Sequence, residues 1–365
     1  MTTQRLFGPQ RQERLLAELR GHGAVRVRDL ARELGVSELT IRRDITALAE
    51  RGLVSRVHGG ATLPAHGTAS GQPRRAATRF TVGMVVPSLD FYWPPVTAGA
   101  RAAAAALGVN LQLRGSSYDP DEDRRQISLL VESGQVQGLL LAPALHGDHA
   151  HETLDWIGQL PLPAILVERQ PRGWTPASGQ IEWVRSDHYL GIQIAVHHLR
   201  QQGHRRIGLV VAPGSPTSAH LRRAWQTAAA DPGMRDTLVM PEAVTLGTTG
   251  ERDTMHRLLG GCLRAGTTAL VVHSDPEAIA IAQFCTEQGV TIPDDLAIVS
   301  YDDEIAHLGD PPLTAVRPPK GHVGRLAVEL MVSRLLDGGR RPTYRVLLAP
   351  ELVVRGSSMS VSSLR

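Results

Sequence analysis

The sequence predicts an α/β chain in two parts: a small basic head, and a larger body that holds two doubly wound parallel sheets. Two observations support this. Residues 1–79 contain 14 arginines and seven acidic residues, and from residue 80 onward short apolar runs alternate with helical patterns. Strands that alternate with helices favour parallel sheets covered on both faces. A length of 365 residues agrees with two or three domains.

The composition excludes several classes of protein. With 42% hydrophobic and 21% charged residues, the chain is neither largely disordered nor collagen-like. Cys262 and Cys285 are too few for a disulfide framework or a four-thiolate zinc site, and they suit a reducing compartment. The longest apolar runs fall far short of the ~20 residues of a membrane helix. No apolar stretch follows the first arginines, so we expect no secretory signal and a cytoplasmic protein.

The charge is unevenly distributed. The head carries a net charge of +7 and residues 80–365 carry −4, within a chain whose 39 basic residues include 38 arginines. A basic head indicates a polyanionic partner, either nucleic acid or an anionic membrane surface. The head lacks the Trp-rich apolar face that a membrane-surface helix needs, which favours nucleic acid. Chance drift in composition is the alternative.

The head reads as three helices, over Gln10–His22, Val27–Leu34 and Glu38–Glu50. Gly35 is placed to end the second helix, and Ser37 is a good N-cap for the third. The apolar positions of the third helix recur at helical spacing and must face the other two: Ile41, Ile45 and Leu48. Leu39, Arg42, Arg43 and Thr46 then point outward. This pattern describes a helix-turn-helix, and the alternating residues 53–57 and the Gly-rich residues 58–63 describe a wing.

Residues 10–63 resemble the winged helix of DeoR-type bacterial repressors. The resemblance rests on Val36–Ile45, on Arg51-Gly52-Leu53 and on Val57–Ala61. It implies that the third helix lies in the major groove of double-stranded operator DNA, where arginine can pair with guanine and Thr or Leu can touch a thymine methyl. The candidate DNA-binding residues are Ser37, Leu39, Thr40, Arg42, Arg43, Thr46, Arg56 and His58. A solvated face with a local pair to Asp44 or Glu38 is the alternative for the two helix arginines.

Residues 64–79 are rich in Pro, Gly, Ser and Ala and predict a flexible linker. In the body, apolar runs predict strands at Thr81–Val86, Val109–Leu113, Gly138–Ala142, Ala164–Val167, Ile207–Ala212, Ala269–His273 and Leu296–Ser300. Helical patterns lie near Pro95–Leu107, Asp121–Ser133, Asp148–Leu160, Leu190–Gln202, Ala219–Ala230, Glu251–Arg264 and Glu277–Gln288. Two such series favour two lobes, although a single barrel would give the same alternation.

Residues 80–357 resemble the sugar-sensing domain of the LacI/GalR repressors, which has the periplasmic-binding-protein-like fold. The segments that carry the resemblance include Val136–Leu141, Gly203–Gly208, Ile292–Asp303 and Pro311–Val316. It implies three chain crossings between lobes, near Val184, Arg317–Pro319 and Gly338–Arg341. Lobe one would then comprise residues 80–184 and 320–338, and lobe two residues 185–317 and 341–357, with a tail at 358–365. The family's usual small helix-turn-helix and hinge helix are replaced here by the winged head and the linker.

Ligands of doubly wound sheets bind outside the carboxyl ends of the strands. Aromatic rings suit the C–H faces of a sugar, and carboxylates and arginine suit its hydroxyls. The candidate ligand-binding residues at these ends are Phe91, Tyr92, Trp93, Glu168, Asp187, Arg222, Ser274, Asp275 and Asp302. The resemblance places Glu168, Arg222, Ser274 and Asp302 where sugar-contacting residues lie. Ordinary helix capping is the alternative, above all for Asp275 and Asp302.

An enzyme interpretation needs a nucleophile, a base or a metal. The best metal candidate is the trio His146, His149 and His151, for which a surface loop is the alternative. The sequence shows neither a phosphate-binding glycine loop after the first strand nor a nucleophile elbow. We therefore expect no catalytic residue, metal or cofactor. The prediction is a dimeric repressor of carbohydrate-utilisation genes that a sugar releases from DNA, with no membrane partner. A regulator of a non-sugar ligand such as a nucleoside, or a sugar-binding metalloenzyme, is the alternative.

Overall fold

A computed structural model describes residues 11–12, 14–16, 18–19, 24–50, 54–57, 60–62, 79–90, 92–145, 149–171, 179–212, 214–230, 238–239 and 251–359. The chain forms two compact units, Met1–Arg74 and Arg75–Arg365. The predicted linker lies almost entirely outside the described residues, as do Phe91, His58 and His146.

The first unit holds helices α1 (Val27–Glu33) and α2 (Glu38–Glu50) and the strands β1 (Ala24–Arg26), β2 (Ser55–Val57) and β3 (Gly60–Thr62). The strands form an antiparallel sheet in the order β1-β3-β2. Ile41, Ile45 and Leu48 of α2 are buried with Leu15 and Leu19, as the apolar spacing predicts. The short strand β1 was not predicted, because three residues give no measurable alternation.

The turn between α1 and α2 follows the predicted capping chemistry. Gly35 has a φ of +61°, a left-handed conformation that glycine adopts without steric cost. The Ser37 hydroxyl accepts a hydrogen bond of 3.2 Å from the backbone N–H of Thr40, which satisfies one of the free donors at the start of α2.

The second unit contains the two predicted parallel sheets, which confirms the α/β class. The helices are α3 (Trp93–Leu107), α4 (Pro120–Glu132), α5 (Ala150–Gly158), α6 (His188–Gln201), α7 (Pro216–Ala229), α8 (Glu251–Ala265), α9 (Asp275–Glu287) and α10 (Lys320–Asp337). The strands are β4 (Phe80–Val86), β5 (Val109–Gly115), β6 (Gly138–Leu141), β7 (Ala164–Val167), β8 (Glu182–Ser186), β9 (Ile207–Val211), β10 (Leu238–Val239), β11 (Ala269–His273), β12 (Ala297–Tyr301), β13 (Thr314–Arg317), β14 (Arg345–Leu348) and β15 (Glu351–Val353).

The first sheet has the order β14-β8-β7-β6-β4-β5 and is parallel throughout. The second has the order β10-β9-β11-β12-β13-β15, in which only β15 runs antiparallel to its neighbour. Their central strands are buried from end to end and mainly apolar, as is typical of strands with helices on both faces. We call the first sheet with α3, α4, α5 and α10 lobe one, and the second with α6 to α9 lobe two.

The third crossing differs from the expectation near Gly338–Arg341. Strand β14 pairs in parallel with β8 of lobe one, so the chain passes to lobe two between Leu348 and Glu351. The physical reason is the buried carboxylate of Glu182 in β8, which accepts hydrogen bonds from the Arg341 guanidinium at 2.6 Å and from the backbone N–H of Tyr344 at 2.8 Å. These bonds hold the segment before β14 on lobe one.

Helices α3 and α10 of lobe one pack with close backbone contact. A Cβ atom on Gly324 would lie 1.9 Å from the carbonyl oxygen of Val96, and one on Gly99 would lie 1.9 Å from that of Gly321. Only glycine fits at these points. The close packing brings the first residue of α10, Lys320, beside the start of α3 at the junction of the lobes.

Candidate DNA interface and effector cleft

The outward face of α2 is exposed and basic. Leu39 is 60% exposed, and Arg42 and Arg43 are both exposed. The hydroxyl of Thr46 donates a 2.8 Å hydrogen bond to the carbonyl oxygen of Arg42. Arg42 lies 3.5 Å from the Glu38 carboxylate, an exposed pair that is worth little in water and leaves the guanidinium able to exchange partners.

Asp44 does not pair with either helix arginine. Its carboxylate is buried and bonds to the Arg11 guanidinium, so it ties α2 to the preceding helical residues. The hydroxyls of Ser37 and Thr40 lie 2.9 Å apart at the exposed start of α2. Arg56 lies in β2 of the wing, and His58 falls outside the described residues.

In the second unit, Tyr92 and Glu168 meet where β4 and β7 of lobe one end. The Tyr92 hydroxyl donates a 2.7 Å hydrogen bond to Glu168, which also accepts from the hydroxyl of Ser186 at 2.8 Å and from its backbone N–H at 3.0 Å. Burial and the neighbouring Glu168 charge raise the pKa of Tyr92 well above its usual value, so the phenol stays protonated. Two predicted ligand residues therefore lie together in a satisfied network.

Lys320 joins this network to lobe two. Its ammonium lies 5.1 Å from the centre of the Tyr92 ring and donates hydrogen bonds to the carbonyl oxygen of Asp302 and to the Glu304 carboxylate. Lys320 is 5% exposed, and it is the chain's only lysine. It is a site residue that the sequence reasoning missed, although its uniqueness was a signal.

Asp302 carries a buried oxygen without a partner. The residue is 9% exposed; its Oδ2 lies 3.5 Å from Nε2 of His273, and no described residue bonds to its Oδ1. A buried carboxylate oxygen without a donor is costly, and the hydroxyl of a ligand can supply one.

His188, the first residue of α6, is buried, and its Nδ1 lies 3.0 Å from the Tyr301 hydroxyl. Burial lowers the pKa of His188 well below its usual value.

Four of the predicted ligand residues serve the fold in this structure. Trp93 is 2% exposed and lies in the core of lobe one. Asp275 is buried and accepts from Ser300 and from three backbone N–H groups of residues 304–306. Ser274 bonds to Glu277 as the N-cap of α9, and Asp187 caps α6. Helix capping thus describes Ser274 and Asp187, whereas Asp275 holds the 304–306 backbone to lobe two.

Two neighbouring cavities lie between the lobes. The larger has a volume of about 770 Å³ and takes side chains from β8 and β14 of lobe one and from α6 and α7 of lobe two. The smaller has a volume of about 190 Å³ and shares Gln170, Ala219 and His220 with it. Of the predicted ligand residues that the structure describes, only Arg222 lines the larger cavity. The sequence reasoning missed Arg169, Arg185, His188 and His220, which face these spaces from distant parts of the chain.

Within the described part of the chain, no three His, Cys, Asp or Glu side chains are grouped as metal ligands. His149 and His151 are exposed on and beside α5, and His146 is not described. No helix among the described residues is long and apolar enough to span a bilayer.

Family models match a segment of each of the two units. Residues 11–66 match the DeoR-like helix-turn-helix domain, and residues 196–358 match the periplasmic binding protein-like domain. A helix-turn-helix joined to a two-lobed domain with an internal cleft is the organisation of a ligand-responsive transcriptional regulator.

Similarity to known regulators extends along nearly the whole chain. The ribose operon repressor of Escherichia coli (strain K12) is 26% identical over 344 residues, which cover 91% of this chain and 99% of the repressor. The HTH-type transcriptional regulator reg1 of Streptomyces lividans is 27% identical over 356 residues, covering 93% and 98%. The complex of the transcriptional regulator CelR with cellobiose has the same fold, with a TM-score of 0.62 at 24% identity, covering 94% of this chain and 98% of CelR.

Proposed function

We propose that the chain is a cytoplasmic repressor that binds operator DNA as a homodimer through residues 1–63 and releases it when a sugar binds in the cleft of residues 80–357. The observation that carries the proposal is the cleft itself: side chains of both lobes line one cavity, in a chain that also bears a DeoR-like helix-turn-helix. A ligand held by both lobes favours the arrangement in which it is bound best, and so shifts the balance between arrangements.

For the DNA interface, the exposed face of α2 supports base contacts by Leu39, Arg42 and Arg43. Arginine can donate two hydrogen bonds to guanine, and an exposed leucine can cover a thymine methyl. Ser37, Thr40, Thr46, Arg56 and His58 complete the proposed surface. A dimer presents two such helices, which requires half-sites about one helical turn, or a multiple of it, apart.

For the effector site, Arg222 is supported by its position on the larger cavity. Tyr92, Glu168 and Asp302 remain proposed ligand contacts at the strand ends of the two lobes, which Lys320 links through the Tyr92 ring and the carbonyl oxygen of Asp302. Phe91, which is not described, remains in the proposal. The positions of Asp187 and Ser274 favour the capping role instead, and Asp275 is occupied by Ser300 and the 304–306 backbone.

The test of the proposal begins with full-length protein and a pool of randomised duplexes. We expect the wild type to select a two-half-site sequence, and its affinity for that sequence to fall steeply with salt as phosphate contacts release counterions. The Arg42→Ala/Arg43→Ala double variant loses this selection. The matched control is Arg125→Ala/Arg325→Ala, which removes two exposed helix arginines that also have local carboxylate partners. If both double variants select the same sequence equally well, the proposed DNA interface on α2 is wrong.

A further inference from the structure

The charged side chains that line the cleft are all basic. Four arginines and two histidines line the larger cavity: Arg185, Arg222, Arg223, Arg345, His188 and His220. Among the residues that the structure describes, no aspartate or glutamate lines either this cavity or its smaller neighbour. A cleft of one sign between low-dielectric walls concentrates ligands of the opposite sign.

Three of these arginines, Arg185, Arg222 and Arg223, form no ion pair with a carboxylate of the described residues. Arg185 donates to the side-chain oxygen of Gln170 and to the carbonyl oxygen of Ser186, both at 2.8 Å, and both acceptors are uncharged. Within the described ranges, no hydrogen bond or ion pair engages the guanidinium groups of Arg222 or Arg223. The guanidinium groups that line the larger cavity can therefore bind an anionic ligand.

Arg169 gives an independent indication in the smaller cavity. It is 6% exposed, and it donates to the carbonyl oxygens of Pro143 and Glu168 at 2.8 Å. Its Nη2 is buried and has no partner among the described residues. The nearby carboxylates of Glu168 and Asp123 are occupied elsewhere, Glu168 by Tyr92 and Asp123 by the backbone N–H of Ala144. A buried guanidinium N–H without an acceptor is costly, and a ligand oxygen would relieve that cost.

We infer that the effector is an anionic carbohydrate, a sugar that carries a phosphate group. This inference rests on the proposed function, since it specifies the ligand of the same cleft. Guanidinium groups bind phosphate oxygens through paired, charge-assisted hydrogen bonds, which suits a cavity with several arginines. A neutral sugar would leave those charges unpaired when the lobes close. The volume of about 770 Å³ suits a small phosphorylated sugar.

The test compares matched ligands on the full-length protein in phosphate-free buffer of constant ionic strength. Calorimetric titrations use ribose against ribose-5-phosphate and glucose against glucose-6-phosphate, with inorganic phosphate as a competitor. We expect a phosphorylated sugar to bind at least about 10-fold more tightly than its parent, because charged hydrogen bonds add more than one factor of ten in affinity. Inorganic phosphate, but not an equal ionic strength of chloride, competes with it.

Two variants locate the effect. We expect Arg222→Gln to lower the affinity for the phosphorylated ligand about 10-fold and the affinity for the parent sugar much less. Arg325→Gln, which removes an exposed arginine of α10, changes neither affinity. Because Arg222 is half-buried on α7 and has no bond to lose, its replacement leaves folding intact, which circular dichroism checks.

Several outcomes overturn the inference. Equal or tighter binding of the parent sugars refutes it, and the proposed function survives if those sugars also lower operator affinity. No response to either sugar phosphate or to inorganic phosphate refutes it as well. Binding of gluconate as tight as that of 6-phosphogluconate assigns the site to a carboxylate instead of a phosphate.

Discussion

The ammonium of Lys320 lies 5.1 Å from the centre of the Tyr92 ring, and it donates hydrogen bonds across the junction of the lobes to Asp302 and Glu304. A cation over an aromatic face is attracted by the ring, more strongly where water is excluded. In a chain that otherwise uses arginine, a single buried lysine therefore connects the aromatic residue of lobe one to the Asp302 carbonyl oxygen and the Glu304 carboxylate of lobe two.

Replacing Lys320 with methionine tests this connection. Methionine keeps the length and apolar stem but removes the charge, so Glu304 and the Asp302 carbonyl lose their donor. We expect the free energy of unfolding to fall by about 2 kcal/mol, the scale of losing charged hydrogen bonds at a buried site. Urea denaturation followed by circular dichroism measures the change. Stability equal to that of the wild type would show that Lys320 does not join the lobes.

The packing of α3 on α10 gives a prediction with an internal control. Gly324→Ala places a methyl group 1.9 Å from the Val96 carbonyl oxygen, so the helices must separate. We expect a loss of about 2–3 kcal/mol in the free energy of unfolding. Gly261→Ala, in the middle of α8, meets no atom within 4 Å and should instead gain about 0.5–1 kcal/mol from its higher helix propensity. Thermal unfolding of the two variants should shift in opposite directions, and parallel shifts would contradict this account of the packing.

His188 gives a prediction about pH. It stacks on His220 with ring centres 5.5 Å apart, and burial, aided by the positive charges of His220 and Arg185, lowers its pKa well below 6.5. A depressed pKa in the folded state means that the unfolded chain takes up the proton first. The associated stability is thus present above about pH 6.5 and is lost as the pH falls below it.

Between pH 7.0 and 5.5 this effect amounts to about 1 kcal/mol for one histidine. We expect His188→Gln to reduce the pH dependence of the unfolding free energy by that amount, whatever its effect on stability at pH 7.0. His151→Gln, on the exposed side of α5, serves as the control. Identical slopes for the wild type and His188→Gln would mean that His188 does not resist protonation in the fold.

Elements whose pattern is local were predictable from the sequence. The strands Ala164–Val167 and Ala269–His273 were predicted to the residue, because their apolar runs are bounded by breaks in the pattern. Strand β14 was assigned to the wrong lobe, because its position depends on the pairing of Arg341 with Glu182, which is 159 residues away in the chain.

The candidate site was predictable only in part, for a similar reason. Asp302, Glu168 and Arg169 stand at strand ends, which the sequence reveals, whereas Arg185 becomes a site residue only when α7 closes the larger cavity. In a chain with 38 arginines, the residue type alone did not single out Arg185. Asp275 shows the converse. Its position at a strand end suited a ligand contact, but its carboxylate oxygens already accept hydrogen bonds from Ser300 and from the backbone of residues 304–306.

The most direct measurement of the central claim is the reciprocal coupling between effector and operator on the full-length protein. We expect the ligand found by calorimetry to lower operator affinity by about 5- to 150-fold in fluorescence anisotropy, the usual range of allosteric coupling. Because linkage is reciprocal, saturating operator must weaken the binding of that ligand by the same factor. A ligand that occupies the cleft, as shown by loss of its binding in Arg222→Gln, and yet leaves operator affinity unchanged would contradict the account.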